Sequence, residues 1–137
     1  MKALGAVAAV IMASACMSAS MGRRTAVQAR LDEPFQLPRG QVADIAGQRL
    51  TVAFTSVESD SRCPANVQCV RAGEARVHVE LRQLGRQPED VVLATEGAQP
   101  RHATYGAYDV HLVTLEPQPR TDVPRPAYVA TLRVLRH

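Results

Sequence analysis

A chain of 137 residues has room for one small core, so any function must be carried by a single domain. Sixteen basic residues against thirteen acidic ones give a formal charge of +3, but fifteen of the sixteen are arginines interspersed with Glu and Asp, and only 4% of residues are aromatic. Nucleic acid is excluded as a partner on these grounds, because no basic stripe could follow a phosphate backbone and few rings could stack on bases.

Residues 1–15 have the make-up of a signal peptide. Lys2 supplies the positive start, and Ala3 to Ala15 is a nearly unbroken run of small and apolar residues ending in Ala13-Ser14-Ala15, an A-x-A cleavage pattern. The run is well short of the roughly 20 residues that a spanning helix needs, so it predicts export and not a permanent span. Cys16 follows directly. The tetrad Ala13-Ser14-Ala15-Cys16 resembles a bacterial lipobox, in which the cysteine becomes the lipid-modified first residue of the mature protein. It departs from the family pattern at Ala13, where Leu is usual. The resemblance implies an exported protein, periplasmic or at the cell surface, anchored to the membrane through a lipid on Cys16. Met17 in place of Asp after the cysteine implies the outer membrane if the source is Gram-negative. Ordinary signal-peptide cleavage at the same bond is the alternative.

The cysteine count is odd, and an exported protein with a surplus thiol calls for an explanation. With Cys16 acylated, Cys63 and Cys69 are left for each other in an oxidising compartment. Their ring, Cys63-Pro64-Ala65-Asn66-Val67-Gln68-Cys69, would contribute roughly 2.4 kcal/mol through loop entropy. A pair of metal thiolates is the competing possibility, but zinc wants four ligands and no second Cys or His cluster stands nearby.

Residues 16–33 are polar, small and basic, and predict a flexible tether with at most a weak helical turn over 26–31. From residue 34 to 137 the period is two. Phe35 and Leu37 mark a short strand closed by Pro38-Arg39-Gly40, and Val42 with Ile45 a second one. Leu50, Val52 and Phe54 alternate with polar neighbours, whereas Val57 falls out of phase, which suggests a bulge or the strand's end near Ser56. Ala75, Val77, Val79 and Leu81 alternate with Arg76, His78, Glu80 and Arg82, the pattern of an antiparallel strand with one wet face. A turn over 85–90, a strand over 91–95, a loop over 97–106, and strands over 108–113 and 128–134 complete the chain. Short strands between Gly- and Pro-rich turns predict an all-β domain, an antiparallel β-sandwich or small barrel of about seven strands. No internal repeat is visible.

Asp60-Ser61-Arg62-Cys63-Pro64, then Val67-Gln68-Cys69-Val70 and Ala72-Gly73-Glu74-Ala75, resemble a group of small exported bacterial proteins and lipoproteins with an Asp-Ser-Arg-Cys-Pro run, a second Cys and an Ala-Gly before a strand. The Leu115 to Pro119 turn and the closing Tyr128-x-x-x-Leu132-x-Val134 extend the resemblance over most of the domain. Where the group carries Trp before the Ala-Gly, this chain has Arg71. The resemblance implies the fold and the compartment and adds no mechanism.

Arg62, Pro64, Asn66 and Arg71, in or beside the ring, are the candidate binding loop, because a loop fixed in advance loses less entropy on binding. The same residues serve equally as a staple, with Arg62 paired to Asp60 or Glu58. No catalytic residue is expected. The chain has no nucleophile elbow and no phosphate-cradling glycine loop, and with both domain cysteines oxidised no thiolate is left. No cofactor or metal is expected either. His78, His102, His111 and His137 are scattered, and only if the strands carrying His78 and His111 paired could they, with Glu80 or Asp109, bind a transition metal. The expected function is a cell-envelope binding or structural module with an envelope protein as its partner. The alternatives are an inhibitor of an exported hydrolase acting through the Cys63–Cys69 loop, and a metal-binding protein acting through surface histidines.

Overall fold

The computed structural model describes residues 25–97, 100–124 and 127–137. The expected signal peptide and Cys16 lie outside the described residues. Nine strands follow in chain order: β1 (Val27–Ala29), β2 (Pro34–Pro38), β3 (Val42–Ile45), β4 (Leu50–Asp60), β5 (Ala75–Gln83), β6 (Glu89–Ala94), β7 (His102–Tyr105), β8 (Tyr108–Glu116) and β9 (Val129–Arg136). They form a five-stranded sheet, in the order β1-β3-β4-β5-β6, and a four-stranded sheet, in the order β2-β9-β8-β7. The arrangement is sandwich-like, and neither sheet closes on itself. All pairings are antiparallel except that of β1 with β3.

The core is the inward half of the alternation. Val52 and Phe54 of β4 and Val77, Val79 and Leu81 of β5 face Leu37 of β2, Val110 and Leu112 of β8, and Leu132 and Val134 of β9, all of them buried. Tyr105 and Tyr108 close the end of this core opposite the cysteine loop. Both are buried, and the Tyr105 hydroxyl donates to the Gln87 carbonyl at 2.7 Å and that of Tyr108 to Gln48 Oε1 at 3.0 Å.

Two expectations need correction. The weak helical turn over 26–31 is instead β1, whose Ala29 is buried, and Asp32 N–H donates to the Val134 carbonyl at 2.9 Å. Backbone pairing thus reaches into the last residues of the expected tether, because β3 leaves an edge that Val27–Ala29 can fill. Within the expected loop over 97–106 lies β7. Only Ala103 and Tyr105 of its four residues turn inward, too short a run to register as a period.

The phase break at Val57 has a definite cause. The register of β4 on β5 shifts between Phe54 and Ser56 and again between Val57 and Ser59. Each shift inserts one residue, so the inward series runs Leu50, Val52, Phe54, Val57, Asp60. Phe54, Val57 and Asp60 stand opposite Val79, Val77 and Ala75, the inward residues of β5. Two bulges therefore let the strand continue to Asp60 and turn that carboxylate toward the interior.

Candidate functional site

One end of the sandwich carries the longest connections: the cysteine loop after β4, the 95–101 loop between β6 and β7, and the segment after β8. All three lie near Arg62, which pairs with the Asp60 carboxylate, whose side chain is 1% exposed. Arg62 neutralises it, with Nε donating to Oδ1 at 2.9 Å and Nη2 to Oδ2 at 2.8 Å, and the Tyr128 hydroxyl donates to Oδ2 at 3.0 Å. The rest of the guanidinium ties the end of β8 to this point: Nη1 donates to the Leu115 carbonyl at 2.6 Å and Nη2 to the Pro117 carbonyl at 2.9 Å. Burial alone would push the Asp60 carboxyl up, but the hydrogen bonds and charge of Arg62, helped by Tyr128, hold it below the usual carboxylate value.

The ring is half-buried at Cys63 and Pro64 and exposed from Ala65 to Cys69, and it is tied to the sandwich by hydrogen bonds. Cys63 and Cys69 form the expected disulfide, with Cα atoms 5.8 Å apart. Ala65 N–H donates to the Pro119 carbonyl at 2.9 Å, Asn66 Nδ2 donates to Thr121 Oγ1 at 2.7 Å, and Thr121 N–H donates back to Asn66 Oδ1 at 3.1 Å. Of the four candidate loop residues, Arg62 thus binds Asp60, Leu115 of β8 and Pro117, Asn66 binds Thr121, and Pro64 accepts from Val67 N–H in the ring's own turn. Arg71 is exposed beside the fully exposed Val70. Because these bonds hold the ring to the sandwich, opening the disulfide by Cys63→Ser with Cys69→Ser is expected to lower stability by no more than about 2.4 kcal/mol, read from urea midpoints with and without reductant.

An open cleft of about 330 Å³ lies between the cysteine loop, the start of the 95–101 loop and the end of β8. Arg62, Cys63 and Gly73 form one wall. Glu96 and Arg101 stand on the second, and Thr114, Glu116 and Gln118 on the third. Thr95, which also lines the cleft, is buried, and its Oγ1 accepts from Ala75 N–H at 3.0 Å. The rim residues Glu96, Arg101, Thr114, Glu116 and Gln118 were not singled out from the sequence. They come from three segments that only the fold brings together, and no spacing could have marked them.

The condition set for a metal site at His78 and His111 is not met. His78 lies on β5 of the five-stranded sheet and pairs with Asp90, Nδ1 to Oδ2 3.1 Å. His111 lies on β8 of the other sheet, so the strands that were to bring the two together do not pair. His111 instead faces His102, with ring centroids 5.0 Å apart and ring planes inclined by 19°. Burial first, and then the charge of His102, lower the His111 pKa. Comparison of the chain with known families, with curated proteins and with solved structures finds no match.

Proposed function

We propose that this chain is an exported β-sandwich module, held to the cell envelope by a lipid on Cys16, that binds an envelope protein with the cleft at its loop-bearing end. The observation that carries the binding role is the prior fixing of the cleft's walls. The disulfide, the Arg62 clamp and the Asn66–Thr121 pair order two of its three sides before any partner arrives, which reduces the entropy lost on binding. Recognition then falls to the rim, where the exposed Arg101, Glu96 and Glu116 offer both signs of charge to a polar protein segment.

β1 runs parallel to β3 and antiparallel to β4, and its Val27 lies at the level of Val52, in the half of β4 remote from the cysteine loop. The inhibitor alternative would use the ring's exposed residues, Ala65 to Cys69, whose Ala65 and Asn66 are hydrogen-bonded to the 119–121 segment.

A photo-reactive residue at Gln118 or Glu96, and a control at Gln36 on the outer face of β2, tests this in cells. Cross-linking to one discrete envelope protein from the two cleft positions, absent from Gln36, is the expected result, with loss of the chain from the membrane fraction on Cys16→Ser. The same products from all three positions would remove the cleft as the binding face, and retention of the Cys16→Ser chain at the membrane would remove the anchor.

A further inference from the structure

Sequence positions 102, 111 and 137 are far apart, yet three of the four histidines gather with Asp109 on the outer face of the four-stranded sheet. The register places His102 opposite His111. Leu112 N–H donates to the Arg101 carbonyl at 2.8 Å, so Arg101 and Leu112 form a hydrogen-bonded pair of the antiparallel ladder. Their neighbours His102 and His111 are then a non-hydrogen-bonded pair, the kind whose Cα atoms approach to about 4.5 Å and whose side chains lie closest. Asp109 is two residues before His111 and shares its face. The Thr104 hydroxyl donates to Asp109 Oδ1 at 2.6 Å, and His137 Nδ1 lies 3.4 Å from Oδ2.

The spacing of the two rings matches that of two imidazoles on one ion. With metal–nitrogen bonds of about 2.0 Å and a bond angle of roughly 90–109°, two imidazole centroids stand roughly 4.5–5.2 Å apart. His102 and His111 stand at 5.0 Å. The rings are stacked in the structure, so binding an ion requires each to turn about χ2, a torsion with broad preferences, and because the centroids lie near the Cβ–Cγ axis that turn hardly changes their separation. Among the described residues no group of three or more His, Cys, Asp or Glu is arranged to hold an ion, so such a site offers two protein ligands and leaves its remaining positions to water. His102 is exposed and His111 half-buried, which leaves an ion's approach from solvent open.

We propose that His102 and His111 form a two-ligand site for a borderline transition-metal dication of the Zn2+ or Cu2+ class, with the Asp109 carboxylate as its nearest counter-charge. Imidazole nitrogen suits these ions, whereas Mg2+ and Ca2+ require oxygen cages. The site does not depend on the cleft having a partner, since it uses the outer sheet face and none of the cleft's rim.

Titration of the full chain with Zn2+, followed by the ring 15N–1H correlations of the histidines, tests this. Saturable binding with His102 and His111 shifting together is expected. His102→Ala and His111→Ala should each weaken it at least about tenfold, the smallest loss that a change beside a ligand typically causes. His78→Ala should leave it unchanged. Both rings point outward, and melting without metal confirms that each variant is folded. If neither ring responds to excess Zn2+, or if binding persists in the double variant at Cys16 or elsewhere, the site does not exist.

Discussion

Arg62→Ala is expected to cost about 3 kcal/mol of stability, the low end of the range for breaking a buried ion pair, and to lower the melting temperature by about 12 °C or more. The loss has two parts. Asp60, with a side chain 1% exposed, would keep its charge with only the Tyr128 hydroxyl and the backbone N–H of residue 62 (3.3 Å) beside it, and the carbonyls of Leu115 and Pro117 would lose the guanidinium as a donor. Asp60→Ala should cost nearly as much alone, and the double variant scarcely more than either single one, since the two side chains act as a unit. Urea unfolding of the four proteins checks this. Costs that simply add would mean that Arg62 acts through the β8 carbonyls and not through the carboxylate.

The same pair sets an acid dependence whose sign follows from the carboxyl. Its folded pKa is held below the unfolded value of about 3.9, so the stabilisation is fully present above that pH and is lost as pH falls through the folded value. Stability of the wild type should therefore fall more steeply below about pH 4 than that of Asp60→Asn, in which nothing titrates at this position.

Gly73→Ala is expected to cost about 3 kcal/mol, the upper end for overpacking, although Gly73 carries no unusual backbone conformation. A Cβ there would overlap the backbone carbonyl of Ser61, and Ser61 is held from both sides. Its N–H donates to the Glu74 carbonyl at 2.9 Å, and its hydroxyl donates to the same carbonyl at 3.0 Å while accepting from Glu74 N–H at 3.2 Å. The methyl group cannot be accommodated without parting the two strands where the cysteine loop begins. Ala72→Ser, next door and exposed, should stay within about 0.5 kcal/mol. Thermal melts of both variants decide the matter, and an unchanged melt for Gly73→Ala would mean that the two segments do not meet so closely in solution.

These three residues show how far the candidate site was legible. Asp60, Arg62 and Gly73 all lie in the run that the resemblance picked out, and the pairing of Arg62 with Asp60 was one of two uses weighed for the arginine. Sequence neighbours at a spacing of two are close whatever the fold, so that pair could be anticipated. The partners on the far side of the clamp, Leu115, Pro117 and Tyr128, lie more than fifty positions away, and nothing local links them to Arg62. The same holds for Asn66 with Thr121. His102 and His111 are only nine positions apart, but their pairing needs the β7–β8 hairpin, whose first strand lay within an expected loop.

What the sequence determined by itself was the all-β class, the inward face of most strands, the disulfide of Cys63 with Cys69, and a break of phase near Ser56. Each follows from side-chain alternation or from a composition that needs no long-range information. Only the tertiary structure decided that residues 27–29 complete a sheet edge, that two bulges carry Asp60 inward, and that the ring forms a wall of a cleft and not a free loop. The physical reason is that register and strand order are set by pairings between distant segments, and a single inserted residue reverses which side chains meet.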